Sequence, residues 1–147
     1  EMNVVKKMKE VSSIVGGEGG GGIIYPELHY GRDALVGIAL FLALLVYKKC
    51  KVSELKPQYS EYFMKKIKIT LEDSKLIDRS FKVIAENYSE LSPNTEDGVR
   101  IDFEDAWVHM RKSNTEPIIR IFAEANSQDI ADSYALKIEK EIKSISA

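Results

Sequence analysis

Val99-Arg100-Ile101-Asp102-Phe103, Ala106-Trp107-Val108-His109-Met110 and Ile118-Ile119-Arg120-Ile121-Phe122-Ala123-Glu124-Ala125 follow one another with only short links. The first of these segments alternates apolar with charged residues, as a strand with one buried face does. Asp97-Gly98 signals a turn before it, and Glu104-Asp105 leaves room for only a tight connection after it. Working outward, Phe63 to Thr70 contains Lys66-Ile67-Lys68-Ile69, a second alternating run. Between the two, Ser74 to Tyr88 sets Leu76, Ile77, Phe81, Ile84 and Ala85 on one helical stripe. Asn126 or Ser127 caps a last helix to about Ile145. The order strand, helix, three strands, helix predicts an antiparallel sheet with helices on one face, an α+β domain over residues 58–147.

The front of the chain has another rhythm. Val4, Val5 and Met8 lie at helical spacing, Ser12-Ser13-Ile14-Val15 suggests a short strand, and Gly16 to Gly22 is too glycine-rich for regular structure. Ile23-Ile24-Tyr25 suggests another strand, stopped by Pro26. Asp33 is a good N-cap for an apolar helix to about Tyr47, which its composition predicts to be buried. A short helix from Val52 to Lys56 runs up to Pro57, where the chain is expected to break between domains. Residues 1–57 therefore read as a partial α/β domain. The opening Glu1-Met2 leads us to expect a piece of a longer protein.

The 147 residues are 44% hydrophobic and 30% charged, a globular balance. Lys+Arg of 21 against Asp+Glu of 23 gives a net charge of -2, which disfavours a nucleic-acid or anionic-membrane partner. The uncharged run from Ala34 to Tyr47 is shorter than the ~20 residues needed to cross a bilayer. The lone cysteine, Cys50, excludes an internal disulfide and suits a cytoplasmic location. Its setting, Lys48-Lys49-Cys50-Lys51, is more simply a helix end than a nucleophile's.

The strongest chemical signal is Arg111-Lys112-Ser113-Asn114-Thr115-Glu116-Pro117, with Arg120 just beyond. A phosphate dianion needs several donors converging on one point. Arginine offers a planar fork, Ser113 and Thr115 offer hydroxyls, Asn114 tolerates an unusual backbone angle, and a tight loop can aim N–H groups inward. An ordinary polar hairpin is the plainer alternative. Ser113 and Glu116 also match a helix capping box, but the strand-like residues after Pro117 argue against it.

Gly17, Gly19 and Gly22 fit the spacing G-x-G-x-x-G, yet no helix opens at the third glycine, and no Gly-Lys-Ser/Thr follows. What remains is a loop that lets backbone approach a ligand, carrying Glu18 as an acceptor for a pair of sugar hydroxyls, or else a flexible linker. His29 and His109 stand far apart without cysteine or carboxylate clusters, so no zinc site is expected. Asn87-Tyr88-Ser89 matches a glycosylation acceptor at a helix end and is set aside.

Together these stretches resemble the α-D-phosphohexomutases, the family of phosphomannomutase, phosphoglucomutase and phosphoglucosamine mutase. Its last domain carries a loop of the form Arg-x-Ser-Gly/Asn-Thr-x-Pro, as in Arg111 to Pro117 here. Its third domain carries Gly-Glu-x-Ser/Asn-Gly, matched in part by Gly17-Glu18-Gly19-Gly20-Gly21. Gly20 stands where the family has Ser or Asn, so that side-chain contact is missing. Gly31-Arg32-Asp33 before an apolar helix also resembles that domain.

The resemblance implies that Arg111, Ser113, Asn114, Thr115 and Arg120 bind phosphate, and that Glu18 and Gly20 meet the sugar. It implies a parent enzyme that interconverts hexose 1-phosphate and hexose 6-phosphate through a phosphoserine, using Mg²⁺ and glucose 1,6-bisphosphate. The phosphoserine and Mg²⁺ loops belong to the family's first two domains, so this chain is expected to hold no catalytic residue or metal and to depend on those missing N-terminal domains. A stand-alone phospholigand-binding module, and an interaction domain whose loop binds nothing, are the alternatives.

Overall fold

The structure, a computed structural model, describes residues 2–71, 73–113 and 117–146. The chain divides into two compact units, Glu1–Ser60 and Glu61–Ala147.

In the first unit, helix α1 (Met2–Glu10) is followed by three short strands, β1 (Gly16–Gly17), β2 (Ile23–Tyr25) and β3 (His29–Arg32), and then by helices α2 (Ala34–Lys48) and α3 (Val52–Leu55). The strands form an antiparallel sheet in the order β1-β2-β3. The strand expected at Ser12–Val15 is displaced onto the glycines. Ser12 takes a left-handed φ of 52°, and Ile14 is 79% exposed. Gly16 pairs with Ile24 beneath Met8, whose sulfur occupies the space a side chain at Gly16 would need. The glycine run is thus regular at its start, and only its later part is loop.

Asp33 does cap α2, its Oδ1 accepting from the Val36 N–H at 3.0 Å. Gly37 lets the helix approach β2, since a Cβ there would lie 3.1 Å from Ile23 Cγ1. The expectation of a buried helix fails, because none of α2's residues is buried. A helix apolar on every side has to be covered all round, and β2 covers only one flank. No helix among the described residues is long and apolar enough to cross a membrane.

The second unit holds β4 (Phe63–Thr70), α4 (Ser74–Asn87), β5 (Val99–Asp102), β6 (Ala106–Lys112), β7 (Ile118–Ala125) and α5 (Gln128–Ser146). This is the expected order of strand, helix, three strands and helix. The sheet is antiparallel throughout, in the order β4-β7-β6-β5. Its inner face is set by alternation. Ile69, Val99, Ile101, Val108, Met110, Ile119, Ile121 and Ala123 are buried and pack in one cluster with Ile77 and Ile84 of α4 and Ala135, Ile138 and Ile142 of α5. Each isoleucine, valine or methionine among them contributes about 1.5–3 kcal/mol when fully buried. Both helices therefore lie on one face, and the other face carries the remaining side chains. Asp73 caps α4 through a 2.9 Å bond from Lys75 N–H, and Ser127 Oγ accepts from Ile130 N–H at the start of α5.

Candidate functional site

The sheet positions the predicted phosphate residues by register. Arg111 of β6 and Arg120 of β7 are direct cross-strand partners, both exposed. Opposed residues of an antiparallel pair project to the same face, here the one without helices. The loop between the two strands begins at Ser113, whose N–H donates to the Ile118 carbonyl at 3.0 Å. Its other end is tied to β4, where Leu71 N–H donates to the Pro117 carbonyl at 3.0 Å. Asn114 and Thr115 lie outside the described residues.

Three residues that sequence reasoning passed over hold Arg111. Asp97 Oδ2 accepts from its Nη2 at 2.8 Å. The Asp97 backbone carbonyl, which can only accept, takes a 2.6 Å bond from Nε2 of His109, and this fixes the proton on that nitrogen. Gly98 follows with a φ of +84°, and a Cβ there would run into the Met110–Arg111 backbone. In the sequence Asp97-Gly98 signals only a turn, and His109 lacks the neighbours of a zinc site. Their position opposite Arg111 depends on β5–β6 pairing, which no local pattern shows. On the other face, Lys112 Nζ reaches Asp78 Oδ1 of α4 at 3.2 Å.

In the first unit, Glu18 stands at the head of a turn closed by Gly21 N–H to the Glu18 carbonyl (2.9 Å) and Glu18 N–H to the Gly22 carbonyl (3.0 Å). Its Oε2 pairs with Arg32 Nη1 at 3.2 Å. A Cβ at Gly22 would lie 2.5 Å from Arg32 Cδ, so glycine is what lets the arginine cross the turn to reach Glu18. Gly20 has nothing within 4 Å of a notional Cβ, so a side chain at this position would face open space. Among the described residues no group of three or more His, Cys, Asp or Glu could hold a metal ion.

The chain matches two family models: phosphoglucomutase/phosphomannomutase, alpha/beta/alpha domain III, over residues 1–62, and the C-terminal domain of the same family over residues 49–141. Fold and sequence thus define a two-domain stretch of an α-D-phosphohexomutase. The chain belongs to the phosphoglucomutase/phosphomannomutase family.

It is 35% identical over 141 residues to a phosphoglucosamine/phosphogalactosamine mutase of Sulfurisphaera tokodaii, covering 95% of this chain and 31% of that protein. To a phosphoglucomutase/phosphomannomutase of Thermococcus kodakarensis it is 36% identical over 135 residues, covering 91% and 29%. The chain thus spans about 30% of the length of these relatives. A phosphoglucomutase/phosphomannomutase family protein of Burkholderia thailandensis shares the fold with a TM-score of 0.68 at 24% identity, covering 97% of this chain and 30% of that one. Aspergillus fumigatus N-acetylphosphoglucosamine mutase, solved with GlcNAc-6P and magnesium, aligns with a TM-score of 0.53 at 18% identity, covering 80% and 22%.

Proposed function

We propose that the second unit grips the phosphate at the non-reacting end of a hexose phosphate, in a cytoplasmic mutase that interconverts hexose 1-phosphate and hexose 6-phosphate. The observation that carries this reading is the direct opposition of Arg111 and Arg120 beside the 113–117 loop. Like charges facing each other across a sheet cost stability, and an anion seated over them offsets that cost. Two guanidinium forks and the Ser113 hydroxyl, completed by Asn114 and Thr115, supply the donors a phosphate requires. Glu18, with Gly20 beside it, meets sugar hydroxyls.

Phosphoryl transfer depends mainly on positioning and charge neutralisation. A clamp on the remote phosphate therefore contributes to rate by fixing where the reacting oxygen points. The phosphoserine, and the Mg²⁺ that neutralises the transferring group, come from domains outside this sequence. Alone, the chain binds ligand without turning it over.

The test is an NMR titration of the chain with glucose 1-phosphate, glucose 6-phosphate and inorganic phosphate. Saturable amide shifts centred on residues 111–120, lost in Arg111→Ala, are expected. An absence of shifts at millimolar ligand, or shifts unaffected by Arg111→Ala, would overturn the reading.

A further inference from the structure

The register that opposes Arg111 to Arg120 carries one step further across the sheet. Arg120 has a partner on each side, Arg111 of β6 and Lys68 of β4. All three are exposed and share the face without helices. Neighbouring strands are about 4.8 Å apart, so the row spans about 10 Å from end to end. Two long side chains leaning in from its ends can meet a ligand above the middle one. The end of β4 is also bound to the phosphate loop, through the Leu71–Pro117 backbone hydrogen bond at 3.0 Å.

The adjacent row on the same face sets Lys66, Phe122, His109 and Arg100 side by side. Lys66 Nζ lies 6.0 Å from the Phe122 ring centroid, and His109 bonds the Asp97 carbonyl. Arg100 holds Asp102 at 2.6 Å while its guanidinium lies 4.6 Å from the Trp107 ring centroid. The row nearest the loop sets three cations directly side by side, and Asp97 pairs with the one at its Arg111 end.

On the reading of the loop as a phosphate clamp, we propose that Lys68 is its third cationic arm, a positioning and specificity residue that selects the dianionic form of the phosphate. The two arginines offer planar forks, and an ammonium at the far end of the row adds a compact charge from a different direction. A phosphate monoester gains its second negative charge with a pKa of about 6, so the third cation matters most above that pH.

The experiment titrates the chain with inorganic phosphate and glucose 6-phosphate at about pH 5 and about pH 7.5, on either side of that ionisation. The wild type is expected to bind more tightly at the higher pH. Lys68→Met should weaken binding there by about tenfold, the loss of one charge-assisted contact, and flatten the pH dependence. Lys68→Arg should retain both, and Lys68→Gln repeats the test should the methionine disturb the sheet. A dispersed amide spectrum for each variant separates lost binding from lost folding. If Lys68→Met and Lys68→Gln titrate like the wild type at both pH values while Arg111→Ala abolishes binding, the role of Lys68 is refuted and the clamp stands. If the wild type binds neither ligand, both fall together.

Discussion

Asp97 and Arg111 meet at 2.8 Å across the turn that leads into β5. The same aspartate is held by its backbone carbonyl to His109, so the turn is fastened to β6 on both sides of Met110. A half-exposed ion pair of this kind adds little stability, about 0–1 kcal/mol. Its effect is to restrict where the guanidinium points, and that effect depends on the residue next to it.

Gly98→Ala should release this fastening. The added Cβ would meet the Met110 carbonyl oxygen and lie 3.2 Å from Arg111 Cα, on a backbone whose φ of +84° already disfavours a side chain. Strain of this type costs about 1–3 kcal/mol. Denaturant unfolding should show a loss in that range, and the phosphate titration should show weaker binding in the protein that remains folded. Unchanged stability would mean that the turn does not need glycine.

Arg111→Lys separates charge from shape. The lysine keeps the positive charge and loses the planar fork that faces two oxygens at once. If the full-length protein is the mutase proposed above, its kcat/KM should fall by about tenfold or more, the scale of one charge-assisted hydrogen bond. Wild-type kcat/KM in this variant would show that the position supplies charge alone.

The sequence revealed the parts of this fold that repeat locally. Lys66-Ile67-Lys68-Ile69 predicted β4, and the stripe from Leu76 to Ala85 predicted α4, because one face of each packs into a single core. β3 escaped because His29-Tyr30-Gly31-Arg32 has no apolar alternation and is set by pairing with β2. Ile14-Val15 attracted a strand on β-propensity, whereas pairing chose Gly16–Gly17, where Met8 needs the room. The same limit applies to the candidate site. Arg111, Ser113 and Arg120 stand out in a short motif, but Lys68 and Asp97 lie 43 and 14 positions from Arg111 and reach its neighbourhood only through strand register.

Asp33 gives the first unit an acid-sensitive element. Its carboxyl is held below the ordinary aspartate value, first by the Val36 N–H at the start of α2, with a further contribution from His29 at 3.2 Å. A depressed pKa means that the carboxylate's contribution is present above the unfolded value of about 3.9 and is lost as pH falls through the lower folded one. Helicity followed by circular dichroism should therefore hold down to about pH 4 and decline below it. Asp33→Asn, which keeps a capping oxygen without the titrating charge, should remove that part of the acid limb. An identical acid limb in the variant would assign it to other carboxylates.

The uncovered surface of α2 makes the last prediction. Leu35 is 79% exposed, Val46 77% and Tyr47 83%, with Ile38, Leu40, Phe41 and Leu42 also accessible. Capping by Asp33 and packing of Ile23 against Gly37 define where the helix starts and what one side touches, but they leave most of its apolar surface in water. Contiguous apolar patches of this kind bind dyes and other apolar surfaces. The chain should therefore bind anilinonaphthalene sulfonate and sediment as a concentration-dependent oligomer. Leu35→Glu with Val46→Glu should reduce both, while the near-ultraviolet signal of Trp107, in the other compact unit, stays unchanged. A wild-type chain that remains monomeric at high concentration without binding the dye would show that α2 is covered in solution.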